Sequence, residues 1–385
     1  MVQAPTLTDA HREVQALARE FAAAEIAPHA AEWNARHEVP VDVLRKLGEI
    51  GLMGIAIPEE HGGSGLDHTS VCLAMEEISA ADTGVSTAVA VQNGLAAAPI
   101  VNNGTDAQKA RFLPGIASAE TIGAYALTEP EAGSDAASLR TTATADGRGG
   151  WVLNGAKQWI TNGGIADVFV VFARTGGPGA KGVSAFVTPA TRGLVPGAEL
   201  GKLGLHSSST VGLTLEDLSL GEDALLGGEG QGLRIALETL DAGRITIAAQ
   251  ACGIARAAID LAVSYASERQ AFGGPIARFQ GVQFPLAEMS ARLDAARLLM
   301  LHGARLKDAG EPHGVAGAKA KLVASRVAVE AADVAVQTLG GYGYSAEFAA
   351  ERLYRDAKIT ELYEGTSEIQ RMVIARALFG DVARG

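Results

Sequence analysis

The sequence predicts an α+β protein in three parts: an N-terminal α-helical domain over residues 1–120, a middle antiparallel β-barrel or β-sandwich domain over residues 121–230, and a C-terminal four-helix-bundle domain over residues 231–385. Apolar residues recur with a helical period in the first and last parts, whereas short apolar runs separated by Gly and Pro fill the middle. The run from Gly232 to Arg269 contains no proline and would span roughly 55 Å as a helix, a length typical of helical bundles.

Helical periodicity in the first part predicts several helices joined by short loops. Thr105 and Gln108 fit the capping-box pattern, in which a hydroxyl and an amide side chain satisfy free N–H groups at a helix start. The predicted helices cover residues 8–33, 41–50, 67–81, 84–102 and 105–117.

The middle part carries strand and turn signals. Asp146-Gly147 and Asn154-Gly155 are dipeptides typical of tight hairpin turns, and both predict a hairpin. The predicted strands are the apolar runs Val168 to Ala173, Val183 to Val187 and Val211 to Leu220.

The last part ends on a loop followed by a helix. Further helices are predicted over residues 286–309, 315–339, 346–358 and 367–379. Ser367 and Gln370 fit a capping box, and Gly365 permits a sharp turn directly after Glu364. Glu364 is therefore expected just outside a helix N-terminus, where free N–H groups favour an anionic ligand or a developing oxyanion.

Composition and charge exclude several classes of function. The 385 residues carry a formal net charge of −12, which argues against binding to nucleic acid. Cys72 and Cys252 are expected to be core residues, and the scattered histidines predict no metal site. The sequence shows no apolar signal segment and no apolar run of membrane length, so we expect a cytoplasmic bacterial protein without a membrane partner.

Two segments of the middle part suit a ring-shaped ligand. The segment Tyr125 to Asp135 is expected to be a strand followed by a loop that offers backbone amides and hydroxyl groups. In a strand, Trp159 and Thr161 point to the same face and would present a flat aromatic beside a hydroxyl. The alternative is that Trp159 fills the core of the sheet.

Five segments occur in an order and at spacings that resemble the acyl-CoA dehydrogenase family, over essentially the whole chain. They are Tyr125–Ser134, Trp159–Thr161, Arg269–Gly273, Gln337–Gly343 and Tyr363–Gln370. The resemblance is strongest to the short-chain, butyryl-CoA dehydrogenase-like branch. It implies FAD as cofactor, an acyl-CoA as substrate, electron transfer flavoprotein as partner, and a homotetramer built as a dimer of dimers.

The resemblance also implies which residues contact FAD. Trp159 would lie along the flavin ring, the Thr161 hydroxyl would approach N5, and Arg269 would neutralise the pyrophosphate. The remaining contacts within the subunit would be Tyr125, Leu127, Thr128, Ser134, Ile160, Thr366, Ser367 and Glu368. Contacts to the FAD of a neighbouring subunit would come from Arg269, Phe272, Gln280, Gln337, Gly340 and Gly341.

Four residues are implied as substrate contacts. Asp241 and Arg244 lie one helical turn apart and would contact the acyl-pantetheine part of CoA. Their alternative is an i,i+3 salt bridge on a solvated helix face. Ser134 would touch the substrate at the pocket mouth, and Gly365 would line the pocket beside the base.

The implied reaction is α,β-desaturation of a short- to medium-chain acyl-CoA to the trans-2-enoyl-CoA. Glu364 would abstract the α-proton while hydride passes to flavin N5. Some relatives place the base at the position of Gly243, which cannot act here. Glutaryl-CoA relatives carry an arginine at the position of Ser86, so a dicarboxylate substrate is not expected.

Two other functions remain open from the sequence. One is an acyl-CoA oxidase, which would keep the flavin and pass electrons to oxygen; reaction of the reduced protein with oxygen would identify it. The other is an assembly protein that uses the fold without flavin, and a colourless purified protein would identify it. Fold alone does not separate these functions, because unrelated activities share folds.

Overall fold

The structure, a computed structural model, describes residues 6–383, and its first part is helical as predicted. The helices are α1 (Asp9–Phe21), α2 (Ala30–Arg36), α3 (Val41–Glu49), α4 (His68–Ala81), α5 (Thr83–Ala90), α6 (Ala98–Asn103) and α7 (Asp106–Ala117), with π-helical turns at Ala22–Ile26 and Val91–Ala97. The single helix predicted over residues 8–33 is interrupted at Pro28, which cannot donate a helical hydrogen bond. The Thr105–Gln108 capping box is present.

The middle part forms one sheet with the strand order β6-β7-β3-β2-β4-β5-β8, and β1 lies beside β4. The strands are β1 (Gly123–Ala126), β2 (Thr142–Ala145), β3 (Trp151–Thr161), β4 (Val168–Arg174), β5 (Val183–Pro189), β6 (Leu194–Glu199), β7 (Thr210–Leu220) and β8 (Leu225–Leu226). Most pairs are antiparallel, as predicted, but β1 and β2 both run parallel to β4. The β1–β4 pair is possible because β2 and β3 form part of a long crossover between those two strands.

One predicted hairpin turn is correct and the other is wrong. Asp146-Gly147 lies in the turn between β2 and β3, where Ala145 pairs with Trp151. Asn154-Gly155 lies inside β3, because the Asn154 amide bonds the side chain and backbone of Asp217 on β7 at 3.0 and 2.8 Å. The register shifts at this point, so the dipeptide forms a bulge instead of a turn.

The last part is built on long helices. They are α8 (Gly232–Glu268), α9 (Gln280–Asp308) and α10 (Gly314–Leu339), followed by the shorter α11 (Ala349–Ala357) and α12 (Ser367–Phe379); a small hairpin of β9 (Gln270–Ala271) and β10 (Gly274–Pro275) joins α8 to α9. Helix α8 packs against α10, α9 and α4, and many of the buried contacts are alanines that let the helices approach closely.

Within residues 6–383, two helical segments are long and apolar enough to span a membrane, Thr83–Asn103 and Gly232–Glu268. In the folded chain 83% and 78% of their apolar windows are buried, which is the pattern of a core helix.

Buried ion pairs join the N-terminal helices to the bundle. Glu76 and Glu77 on α4 are both 3% exposed. Arg297 on α9 binds Glu76 at 2.8 Å, and Arg256 on α8 binds Glu77 at 2.7 Å. Removal of one partner would leave a buried charge, so these pairs fix how α4 sits on the bundle.

The domain boundaries after residues 120 and 230 stay a prediction.

Candidate active site

Glu364 lies in a tight loop between a 3₁₀ turn (Lys358–Glu361) and α12. Its φ is 51° and that of Gly365 is 92°, so two successive residues adopt the left-handed conformation. A left-handed non-glycine residue is uncommon and often marks a functional position. The glycine after Glu364 meets the backbone requirement predicted from the sequence.

The helix cap predicted at Ser367 is wrong by one residue. Thr366 is the N-cap of α12, and its hydroxyl accepts a bond from the N–H of Ile369 at 3.4 Å. Ser367 is the first helical residue. Gln370 does not complete a capping box, because its buried amide donates at 2.7 Å to the carbonyl of Gly365 instead. The side chain thus fixes the loop that carries Glu364.

The Glu364 carboxylate faces Gly243 of α8. A Cβ at Gly243 would lie 2.0 Å from Oε2 of Glu364, so only glycine leaves room for the carboxylate. Oε2 is buried and has no hydrogen-bond partner among the described residues. Burial raises the pKa of Glu364 to about 7, against the opposing charges of Lys321 and Arg244. The group is an unpaired carboxylate whose pKa suits proton transfer near neutrality.

The backbone beside the carboxylate is also unpaired. The N–H groups of Glu364 and Gly365 donate to no acceptor within residues 6–383. These two donors precede the N-terminus of α12, where partial positive charge favours an oxygen anion. The loop therefore presents an unpaired carboxylate and unpaired N–H donors within one dipeptide.

Tyr125 is buried between the sheet and α8. Its ring packs on Phe172 with centroids 4.9 Å apart, and its hydroxyl donates to the carbonyl of Ala236 at 3.5 Å. Burial, and then the charge of Glu364, raise the pKa of Tyr125 well above its usual value. The phenol is therefore neutral and belongs to the apolar surroundings of the base.

The predicted ring-binding residues of the sheet differ in exposure. Trp159 is 59% exposed, so the alternative that it fills the sheet core is wrong. Its φ of 61° and a register shift between Lys157 and Ile160 turn the indole outward at a bulge. Thr161 is half-buried. The side chain of Ile160 is in the core, which leaves only its backbone for a ligand.

A buried ion pair fixes the loop beside Trp159. Lys157 donates to the carboxylate of Glu129 at 2.8 Å and to the carbonyl of Leu127 at 3.2 Å. The same carboxylate accepts the N–H groups of Arg140 and Thr141 at 2.6 and 2.9 Å. The pair holds together the segment of residues 127–141. Within this segment, Thr128 is half-buried and Ser134 is exposed.

A groove of about 530 Å³ contains three of the six predicted contacts to a neighbouring subunit's cofactor, Arg269, Gly340 and Gly341. Arg269 is exposed and its guanidinium lies 5.9 Å from the centroid of the Tyr342 ring. Gly340 and Gly341 line the groove, and no atom lies within 4 Å of the point where a Cβ would stand at either residue, so the backbone is open to a ligand. The residues that line the groove all lie between positions 265 and 347, and none of them belongs to the sheet of the middle part.

The other predicted contacts of the bundle lie outside that groove. Phe272 is 89% exposed, and Gln280 and Gln337 are exposed. Ser367 and Glu368 line a second groove of about 580 Å³ between α9, α10 and α12. One chain thus does not bring all predicted cofactor residues to one pocket.

Asp241 and Arg244 form an i,i+3 ion pair at 2.5 Å, which was the alternative to substrate contact. The solvated-face alternative is wrong for Arg244, whose side chain is only 7% exposed and whose Nε lacks a partner among the described residues. Burial raises the pKa of Glu364, and the charges of Lys321 and Arg244 oppose that rise. Gly365 lies in the same loop as Glu364.

Sequence reasoning missed Lys157, Glu129 and Lys321. A lysine within an apolar strand or on an alanine-rich helix face is the signal that could have found two of them. Their partners lie far away in the chain, so the pairing itself was not visible.

The fold combines a helical bundle that carries the buried, unpaired carboxylate of Glu364 with a sheet that exposes the indole of Trp159, an arrangement that suits an enzyme with a ring-shaped cofactor. Three family models match the chain: acyl-CoA dehydrogenase N-terminal domain over residues 8–120, middle domain over residues 124–218, and C-terminal domain over residues 230–379. The short-chain specific acyl-CoA dehydrogenase of Bos taurus is 47% identical, over 97% of this chain and 91% of the relative.

Solved structures agree with the family models. Butyryl-CoA dehydrogenase from Megasphaera elsdenii has a TM-score of 0.96 and 42% identity, over 98% of this chain and all of that chain. A chain in a structure described as the electron transferring flavoprotein of Acidaminococcus fermentans has a TM-score of 0.97 and 44% identity, with the same coverage. The chain belongs to the acyl-CoA dehydrogenase family, in its short-chain, butyryl-CoA dehydrogenase-like branch.

Like other members of this family, this chain is an FAD flavoprotein that dehydrogenates acyl-CoA. Its residues suit FAD. The exposed indole of Trp159 offers a flat surface for a ring. The exposed guanidinium of Arg269, beside the open backbone of Gly340 and Gly341, suits a pyrophosphate.

Proposed function

We propose that this enzyme desaturates short- to medium-chain acyl-CoA thioesters to trans-2-enoyl-CoA, with Glu364 as the base that removes the α-proton. The observation that carries the proposal is the buried, unpaired Oε2 of Glu364 facing Gly243. An unpaired buried carboxylate is destabilising for the fold, so its retention argues for a role in chemistry.

The base needs help because a C–H beside a thioester is a very weak acid. The unpaired N–H of Glu364 is placed to donate to the thioester oxygen and stabilise charge as it develops. Such a donor is typically worth about 2.7–4 kcal/mol. A substrate that covers the loop also excludes water, which raises the pKa of Glu364 further and makes it a stronger base.

The other residues would orient substrate and cofactor. Arg244 is buried, is paired with the half-exposed Asp241, and would hold the polar part of CoA next to the thioester. Trp159, Thr161 and the loop at Thr128 and Ser134 would hold FAD against the sheet. FAD, when bound, supplies the acceptor for the hydride that leaves the β-carbon.

The chain-length preference rests on the relatives and on one buried residue. The bovine and Megasphaera elsdenii relatives are short-chain and butyryl-CoA dehydrogenases. Ser86 is fully buried and uncharged, and its hydroxyl bonds Gln250 at 2.8 Å, so no cation there would bind a second carboxylate. Flavin bleaching by acyl-CoAs from C4 to C16, with branched chains and glutaryl-CoA, tests this. Bleaching by butyryl- to octanoyl-CoA supports the proposal, and selective bleaching by glutaryl-CoA refutes it.

Electron transfer flavoprotein is the proposed acceptor, as part of fatty acid β-oxidation. The structural similarity to a chain in an electron transferring flavoprotein structure supports it. The sequence also lacks a nicotinamide fingerprint, since Gly227–Gly232 has the wrong spacing. Turnover should be rapid with electron transfer flavoprotein. Rapid turnover with NAD, or with oxygen as in an oxidase, would contradict the assignment.

A homotetramer is proposed because the Arg269 groove has no contact with the sheet of its own chain. In the assembled enzyme this groove would face the cofactor of a neighbouring subunit. Light scattering should give four chains per particle. A monomer that holds FAD fully would refute the assembly.

A further inference from the structure

The loop that carries Glu364 is held by a buried lysine that has no part in the proposed proton and hydride transfers. Lys321 lies on α10 and is only 1% exposed, among the core alanines Ala318, Ala320 and Ala324. Burial lowers the pKa of Lys321 to about 8, opposed by the charge of Glu364. Lysine is almost never fully buried unless it is paired, so its contacts here call for an explanation.

The Lys321 ammonium bonds both ends of the loop. It donates to the carbonyl of Thr360 at 2.9 Å and to the carbonyl of Gly365 at 2.8 Å. The amide of Gln370 donates to the same Gly365 carbonyl at 2.7 Å, and the hydroxyl of Ser325 donates to the same Thr360 carbonyl at 2.8 Å. Lys321 is thus the one of these three donors that reaches both carbonyls.

The segment between these two carbonyls contains the unfavourable backbone of the site. Glu364 and Gly365 are both left-handed, and such residues persist only where surrounding contacts hold them. The ammonium also lies close enough to Glu364 to lower the pKa of its carboxyl, as does Arg244 on α8. The other groups that face these charges are Glu361 in the 3₁₀ turn and the neutral phenols of Tyr125 and Tyr363.

We propose that Lys321 is a positioning residue of the reaction: it clamps the segment from Thr360 to Gly365 so that the Glu364 carboxylate stays opposite Gly243, and its charge keeps that carboxylate ionised near neutral pH. The inference rests on the proposed role of Glu364 as base. In this proposal, Lys321 acts through Glu364 and not on the substrate.

The test is the pH dependence of flavin reduction by butyryl-CoA, measured in single turnover on the FAD-loaded enzyme. Lys321→Met keeps the buried volume and removes charge and donors, whereas Lys321→Gln keeps a neutral donor and so preserves folding. The loss of a nearby positive charge raises the pKa of a carboxyl by about one unit or more. In both variants the acidic limb of the profile should therefore move to higher pH by about one unit. The rate at pH 7 should fall by roughly fivefold, because the ionised fraction of Glu364 falls from about one half to about one tenth.

Ser325→Ala is the matched control, because it removes a donor to Thr360 from the same helix without removing charge or the bond to Gly365. It should lower stability and leave the acidic limb in place. A second readout needs no turnover: the infrared carboxylic acid band that Glu364→Gln removes should persist to higher pH in Lys321→Gln than in wild type. The proposal would be overturned if, in Lys321→Gln, both the acidic limb of the rate profile and the infrared titration kept their wild-type midpoints.

The two proposals fail in different ways. If Glu364→Gln still reduces flavin at the wild-type rate, the base is misassigned and the proposed function fails. If Glu364→Gln is inactive while Lys321→Gln titrates as wild type, only the positioning role of Lys321 fails.

Discussion

Substitution of Gly243 by alanine tests whether the room beside Glu364 matters for the chemistry. The new Cβ would lie 2.0 Å from Oε2 and 3.1 Å from Cδ of Glu364, whereas Cβ atoms essentially never approach a heavy atom more closely than 3.0 Å. The carboxylate must therefore withdraw by about 1 Å or more. A misplacement of that size in a reacting group reduces rates by roughly 10²-fold.

Gly243→Ala should lower the rate of flavin reduction without lowering the stability of the fold. Oε2 is the end of a flexible side chain, so its displacement strains little else. Alanine in a helix interior is more favourable than glycine by about 0.8–1 kcal/mol. We therefore expect Gly243→Ala to unfold at the wild-type denaturant concentration or above, while flavin reduction by butyryl-CoA becomes about 10²-fold slower.

Gly303→Ala on α9 is the matched control. Its Cβ would contact Ile245 at 3.3 Å, and Glu364 is not among its nearest neighbours, so it adds the same methyl group to a helix without displacing the carboxylate. The assay is stopped-flow reduction at saturating butyryl-CoA, with FAD content measured for each variant. Reduction of Gly243→Ala at the wild-type rate, with full FAD, would refute the placement of the reacting carboxylate opposite Gly243.

Three further outcomes are expected. The pKa of Glu364 is raised in the folded state from 4.5 to about 7, so its contribution to stability is complete below pH 4.5 and is lost as pH rises through about 7. In urea unfolding, the free energy of unfolding of Glu364→Gln should therefore exceed that of wild type by up to about 3 kcal/mol at alkaline pH and equal it at acidic pH. The same difference from wild type at alkaline and at acidic pH would contradict this. Wild-type reduction at low butyryl-CoA should rise with pH through about 7, and a flat profile would contradict ionised Glu364 as base. Arg269→Ala should weaken FAD binding by about tenfold or more. Arg36 is an exposed arginine paired with Glu32, and the control variant Arg36→Ala should retain FAD. Equal FAD contents of the two variants after gel filtration would contradict the pyrophosphate contact.

Local sequence determined the main features of the fold. The long proline-free runs became α8 and α10, whereas α9 begins at Gln280 and includes Pro285 in its first turns. Gly365 before an apolar periodic run placed Glu364 outside the start of α12. These features depend on residues within one or two turns of each other, so backbone preference and hydrophobic period were sufficient.

Errors arose where a distant partner decided between local alternatives. Asn154-Gly155 has the composition of a turn, yet the side chain of Asn154 pairs with Asp217 on β7 and stays in the strand. Thr366 and Ser367 are both good N-caps, and the loop that leads into them is held by a bond from the distant Lys321 to the Gly365 carbonyl. Local pattern cannot rank such options, because the contacts that decide them are tertiary.

The environment of the base was not visible from the sequence for the same reason. The position of Gly243 opposite Glu364, and the bonds from Lys321 to Gly365, join helices α8 and α10 to a loop that lies far along the chain. Residue types can be read along the chain, but the packing of the bundle decides which of them meet.

The most direct test of the central claim is stopped-flow flavin reduction of Glu364→Gln by butyryl-CoA. Glutamine is close in shape and keeps the backbone N–H at position 364, so FAD content and acyl-CoA affinity should remain near normal. The variant lacks a group that accepts the α-proton, and the rate of flavin bleaching should fall by at least about 10²–10⁴-fold, the usual contribution of a positioned base. Bleaching at the wild-type rate would show that Glu364 is not the base, and Asp241 would be the next carboxylate to test.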